Sequence, residues 1–201
     1  MWARCRSSRA TPPAAAVTGG GSPWAGLASG LVGLLMVASL APTAQAALPA
    51  AYAPIVIEPQ GAPARMEFDL SAALDRARRE NKRLYVYLGA SDCPFCRKYE
   101  AFLGRNSTEL LPHFAPYLVV DLRSSLQVQA NKLFIKVGGL SQPYADFQRS
   151  IGDERARLLV YPSVWLFDAR EVRPKPLMQM PAGTGTFETV PEQLEILQLV
   201  Q

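Results

Sequence analysis

Three cysteines and one histidine are all the thiol and imidazole ligands that 201 residues contain. That scarcity argues against a disulfide-stapled scaffold and a four-thiolate metal centre. Charge is sparse too, at 19% of residues against 49% hydrophobic, so the chain should fold around one core. A surplus of positive charge is missing once its location is noted. The formal +4 includes Arg4, Arg6 and Arg9 in a stretch with no acidic residue, which leaves 18 basic (21 less these three) against 17 acidic residues from position 47 onward. A nucleic-acid binder needs excess Lys and Arg to displace counterions from phosphates, so no nucleic-acid partner is expected. Gly183-Thr184-Gly185 lacks the rest of a dinucleotide fingerprint, and no Gly-rich phosphate loop follows a strand. The expectation is no cofactor and no metal.

Residues 1–46 read as a secretory signal. Basic residues come first, an apolar stretch spans residues 27–40, and Ala44-Gln45-Ala46 offers a small-residue exit. The apolar stretch has 14 residues (40 less 26), fewer than the ~20 that cross hydrocarbon, which disfavours an uncleaved anchor. Cleavage after Ala46 would send a 155-residue chain (201 less 46) to an oxidising compartment, periplasmic or extracellular, and remove Cys5. Residues 47–65 follow as a proline-rich arm, with Pro49, Pro54, Pro59 and Pro63, in which only Ile55-Val56-Ile57 suits a short edge strand. Residues 66–201 form the expected compact domain.

Within that domain Asp69 can cap a helix with apolar positions Leu70, Ala73, Leu74 and Ala77, stopped near Asn81. Leu84-Tyr85-Val86-Tyr87-Leu88 is a buried strand, and Cys93-Pro94-Phe95-Cys96 opens the next helix through Tyr99, Phe102 and Leu103. Residues 107–111 make a further helical turn, and residues 117–122 a second central strand. Between Arg123 and Arg157 two helices are predicted, one with Leu126, Ala130, Leu133, Phe134 and Val137 on a face, the other with Tyr144, Phe147 and Ile151. Gly138-Gly139 and Gly152 would end them. Residues 164–167 are a strand, residues 177–180 its antiparallel partner, and residues 191–200 a closing apolar helix.

The two cysteines of the mature chain carry the chemistry. On a helix, residues i and i+3 share a face, so Cys93 and Cys96 can close a disulfide with little backbone change. Cys93 at the helix start faces unpaired N–H groups and the positive end of the dipole, which favours thiolate over thiol. Arg97 and Lys98 act in the same direction and Asp92 in the opposite one. Pro94 suits the first helical position, where an N–H has no intrahelical partner. A thiolate attacks disulfides and a second thiol three residues on resolves the mixed disulfide. Half a zinc site is the first alternative, but two cysteines and His113 fall short of four ligands. An inert structural disulfide is the second, and so short a loop returns little entropic stabilisation. The run Arg76, Arg78, Arg79, Lys82, Arg83 alternates with Asp75 and Glu80 and reads as a solvated helix end.

The order of strand, Cys-Pro-Phe-Cys at a helix start, central strand, helices, Tyr161-Pro162-Ser163, strand, hairpin and final helix resembles the thioredoxin fold. It is similar to exported, periplasmic thioredoxin-like thiol:disulfide interchange proteins. The resemblance implies an α/β fold with a central mixed sheet flanked by helices, here with an extended two-helix connection before the strand that follows Pro162. It implies Cys93 as nucleophile, Cys96 as resolving thiol, and a cis Pro162 facing them. Tyr161 would offer backbone groups to a substrate segment, beside Pro94 and Phe95. The acidic proton acceptor of thioredoxins maps onto Tyr87, a poor base at neutral pH, which leaves water or Glu100 for Cys96. Pro94-Phe95 is similar to the Pro-aromatic pair of glutaredoxins. A connection shorter than the helical insertion of DsbA-type oxidants tilts the expectation to the reducing side. The expected protein is a monomeric protein-disulfide oxidoreductase acting on cysteine-containing exported proteins, with a membrane electron donor as a candidate partner. The alternative is a thioredoxin-fold binding module whose redox state modulates docking, and a buried Cys93 would favour it.

Overall fold

The computed structural model describes residues 47–150, 158–170, 176–180 and 189–198, with side chains of residues 176–180 excepted. The leader with Cys5 and its Ala44-Gln45-Ala46 exit, the helix end at Ile151 and Gly152, and Gly183-Thr184-Gly185 lie outside the described residues.

Two apolar runs make the centre of the sheet. Strand β4 (Arg83–Ala90) pairs in parallel with β5 (Tyr117–Ser124), and antiparallel on its other side with β8 (Ser163–Phe167). Covered on both faces, such strands read as continuous hydrophobic sequence rather than alternation. The edges are β1 (Ile55–Ile57), parallel to β5, and β9 (Pro176–Met180), antiparallel to β8, for an order β1-β5-β4-β8-β9. This mixed sheet, with a Cys-X-X-Cys helix after its central strand and a cis Tyr161-Pro162 peptide before β8, is a thioredoxin-like fold.

Side chains alternate across the sheet and divide the core in two. Tyr85, Tyr87, Val119, Val164 and Leu166 face helices α2 (Pro94–Arg105), α3 (Ser107–Phe114) and α5 (Val190–Gln198). Leu84, Val86, Leu88, Val120, Leu122, Trp165 and Phe167 face α1 (Ser71–Arg79) and α4 (Tyr144–Ser150). Helix α1 begins where Asp69 Oδ1 accepts the Ser71 N–H at 2.9 Å, and it buries Ala73, Leu74 and Ala77. It stops at Asn81, whose φ of 51° leaves the helical region. Its basic end is solvated as expected, with Arg76 bonded to Glu80 at 2.6 Å and Arg78 paired with Asp75.

The predicted two-helix connection is corrected. Of the residues assigned to the first helix, Leu126 lies in a turn, Ala130 opens a 3-10 turn (Ala130–Lys132), and Leu133, Phe134 and Val137 belong to β6 (Leu133–Val137), which turns through Gly138 and Gly139 into β7 (Leu140–Pro143); of the two expected α-helices only the second, α4, is present. Both glycines have positive φ, 57° and 82°, the requirement of a two-residue hairpin loop rather than of a helix end. Leu133 and Ile135 point to the core while Phe134 lies between, with the Arg65 guanidinium 3.5 Å over its ring. The hairpin completes a second sheet, β2-β3-β6-β7, with β2 (Gln60–Ala62) antiparallel and β6 parallel to β3 (Arg65–Asp69). The stretch expected as a proline-rich arm with one edge strand therefore contributes that strand and also β2. Its Leu48 and Tyr52 are buried among the aromatics below α2 and α3.

Candidate functional site

The central strand delivers the cysteines. β4 ends at Ala90, a turn through Ser91 and Asp92 follows, and Cys93 takes the N-cap of α2 with extended backbone, φ −90° and ψ 118°. Three bonds fix this turn. The Ser91 N–H donates to Ser124 O at 2.9 Å, the Cys93 N–H to Ala90 O at 3.1 Å, and the Leu126 N–H to Asp92 Oδ1 at 2.8 Å. Pro94 occupies the first helical position. Cys93 Sγ accepts the Cys96 N–H at 3.1 Å, as an N-cap oxygen would. Both residues are free thiols and both are buried, Cys93 at 2% exposure and Cys96 at 0%.

Behind Cys96 the sequence has built a polar interior. Cys96 Sγ accepts the Ala90 N–H at 3.5 Å and neighbours the Tyr87 hydroxyl. Tyr87 donates to Glu100 Oε1 at 2.8 Å. Glu100 sits one helical turn beyond Cys96 and reaches back, so it faces the region that the sequence placed at Tyr87. Across the parallel ladder Tyr87 is opposite Asp121, which Arg123 pairs with. Burial raises the Cys96 thiol strongly, and hydrogen bonding to Cys93 adds to that, while Ala90 and Tyr87 oppose it. Burial also raises Glu100 above its ordinary 4.5 and Asp121 above 3.8. Tyr87 is pushed far up by burial and by the nearby Cys96 and Glu100 charges, so it stays a neutral hydroxyl that passes hydrogen bonds rather than a base. Its ring folds back over Gly89, where an added Cβ would stand 2.5 Å from ring carbon Cε1.

Tyr161 and Pro162 are half-buried and joined by the cis peptide, and Ser163 pairs with Leu88, which puts them beside the end of β4. The Tyr161 hydroxyl donates to Ser124 Oγ at 2.7 Å, on the strand next to the cysteine turn. Burial raises its phenol, and the proximity of Cys96 contributes. Pro94 is exposed, and Phe95 is 46% exposed with Lys98 Nζ 5.9 Å from its ring centroid. His113 is half-buried on α3. Among the described residues no three His, Cys, Asp or Glu gather to hold a metal, and no helix is long and apolar enough to cross a membrane.

Sequence reasoning passed over Asp121, Arg123 and the N-terminal backbone donors. Asp121 left a signal, a lone carboxylate inside the apolar run Tyr117-Leu118-Val119-Val120-Asp121-Leu122. A charge in a strand buried on both faces needs a partner or a function.

No protein-family model matches the chain, and no curated protein does. Among solved structures it is similar to a thioredoxin of Trichomonas vaginalis, at 12% identity and a TM-score of 0.38, over 70% of this chain and 100% of that one. So distant a likeness carries no weight on function, and the fold assignment rests on the strand order and the cysteine helix described above.

Proposed function

We propose that the chain is an exported thiol:disulfide oxidoreductase that exchanges a Cys93–Cys96 disulfide with cysteines of protein partners, working on the reducing side. The observation that carries the reading is the N-cap position of Cys93 with Cys96 one turn on, the sulfur of one receiving the N–H of the other. The Cys93 thiolate attacks a partner disulfide, forming a mixed disulfide and releasing one partner thiolate, which takes up a proton. Cys96 then loses its proton and attacks the Cys93 sulfur. The pair ends oxidised, the partner reduced, and two electrons have moved. Tyr87 and Glu100 suit the proton step: Cys96 gives its proton to the phenol oxygen while the phenol gives its own to the carboxylate. Tyr161, Pro162, Pro94 and Phe95 form the rim against which a partner segment lies. Cleavage after Ala46 places the protein in the periplasm or outside the cell, where cysteine-containing exported proteins are the partners, a membrane dithiol donor returns the electrons, and the protein acts as a monomer.

A second reading has its own support. Cys93 is only 2% exposed, which favours a binding module whose cleft docks a partner, with redox state altering affinity. Equilibrating the processed protein with glutathione buffers and reading the fraction of Cys93–Cys96 disulfide separates the two. A reductase gives a titratable pair at low potential, each 30 mV being about 1.4 kcal/mol. A pair that stays oxidised under strong dithiol reductant rejects catalysis in favour of docking.

A further inference from the structure

Two consecutive backbone nitrogens, at residues 47 and 48, lie on the side of the two buried carboxylates. The Leu48 N–H donates to Asp121 Oδ2 at 3.1 Å, and the exposed Ala47 backbone, one residue before, is near enough to Glu100 to oppose the rise of its carboxyl. The segment is pinned there. Leu48 and Tyr52 are buried, the Tyr52 hydroxyl donates to Leu103 O at 3.0 Å, and its ring meets Phe114 edge-on at 4.8 Å. The carboxylates are short of positive charge. Arg123 pairs with Asp121, and among the described residues no salt bridge reaches Glu100. Asp121 Oδ1 also lacks a hydrogen-bond donor among them.

We propose that the α-amino group of Ala47, freed by cleavage after Ala46, is a working part of the site: as an ammonium it docks on Glu100 and Asp121, and so arms Cys96 for resolution only in the processed protein. This rests on the exported-reductase reading given above. A peptide nitrogen brings one donor and no charge, whereas an ammonium brings three donors and a full positive charge, enough for Glu100 and the vacant Asp121 Oδ1 together. With the leader attached, two carboxylates share Arg123, and burial raises the Glu100 carboxyl, which opposes its charged form. With the ammonium in place the charges balance, two negative against two positive, and Glu100 stays ionised. It can then take the Cys96 proton through Tyr87. The charged and titratable groups facing Glu100 are Tyr87 on β4, Asp121 and Arg123 on β5, and this amine, with Cys96 reached through Tyr87. Added positive charge lowers the proton affinity of the whole cluster, Cys96 included. The consequence is a reductase whose resolving step is weak until the leader is removed.

The test uses the full chain, expressed with its leader, and three measurements. Intact mass should give a chain beginning at Ala47. Acylation of its amine against pH should show a midpoint above the ordinary ~7.7–8.0 of an α-amino group, returned to that range in Glu100→Gln. Release of a mixed disulfide at neutral pH should be about tenfold faster in the processed chain than in an Ala44→Asp, Ala46→Asp chain that keeps its leader, the equivalent of one unit of proton affinity. If Glu100→Gln does not fold, acetylation of the Ala47 amine removes the same charge and should slow release to the level of the uncleaved chain. An ordinary amine midpoint, or equal release rates with and without the leader, overturns the inference and leaves the exchange reading intact. A processed chain that begins elsewhere overturns it as well. In that case exchange by the wild type measured against Cys93→Ser, which does not depend on the N-terminus, shows whether the exchange reading survives.

Discussion

The two faces of the central sheet are built from different materials. Beneath α1 and α4 the core is Leu84, Val86, Leu88, Val120, Leu122, Trp165 and Phe167, packed by dispersion and burial, with Phe147 edge-on to Trp165 at 5.4 Å. Beneath α2, α3 and α5 lie Tyr52, Tyr85, Tyr87, Tyr99 and Tyr117 with both cysteines. Both buried carboxylates are on this second face. Its hydroxyls are engaged one by one: Tyr99 donates to Gln193 Oε1 at 3.0 Å, Tyr117 to Leu197 O at 3.1 Å, and Tyr85 and Tyr99 hold each other. Burying two acids costs stability that the apolar face must offset. The division therefore separates a load-carrying half from a reactive half that share only the strands between them.

The sharpest break of this comparison is at the thiols. Cys93→Ser should abolish disulfide exchange with stability barely changed, whereas Cys96→Ser should accumulate mixed disulfides visible on non-reducing gels. Equal trapping by both variants would reverse the assigned roles. Next in size is the apolar face. Leu74→Ala, at a side chain buried under α1, should cost about 2–5 kcal/mol in denaturant unfolding and leave exchange rates in the folded protein alone. A change in thiol reactivity there would show that the halves are coupled through the strands.

On the reactive face Tyr87→Phe should cost about 1–3 kcal/mol, because the Glu100 carboxylate loses its donor. Mixed disulfides should also linger in the otherwise wild-type protein, since the hydroxyl through which Cys96 passes its proton to Glu100 is gone. The pH dependence follows with a definite sign. Glu100 is raised in the folded state above 4.5, so the fold binds more protons than the unfolded chain in that range. Its contribution is fully present below the unfolded value and is lost as pH rises through the folded one. Glu100→Gln should flatten that loss in unfolding curves taken across the weakly acidic range. The smallest effect is expected at Phe95. As an exposed residue its change to Ala should stay within about 0.5 kcal/mol, while raising KM for protein disulfides relative to small ones.

The strands β4, β5 and β8 were legible because a strand buried on both sides writes itself as a mostly apolar run, broken in β5 by Asp121. The Cys93 helix start was legible because Pro94 and the cysteine spacing are local signals. The second sheet was not. Leu133 to Val137 is apolar and fits a helical face as well as a strand, and the deciding fact is the positive φ of Gly138 and Gly139, which Gly-Gly in sequence permits without requiring. β3 went unassigned because Met66-Glu67-Phe68 is a short run directly before Asp69, the cap of the next helix. At the site, Glu100 was reachable by counting one turn from Cys96. Its company of Asp121, Arg123 and the Ala47 nitrogen depends on strand register and on where the N-terminal segment lands, and neither is encoded within a window of neighbours.

Gly89 ties two positions of the sequence into one heritable unit. Its missing side chain is the space that the Tyr87 ring occupies, and the hydrogen bond to Glu100 keeps that ring from swinging aside for a newcomer. A library varying position 89 alone should return glycine, whereas one that also shortens position 87 to a small acid should admit alanine at 89. The tyrosine and the glycine are therefore expected to be gained and lost as a pair across any lineage that carries this site.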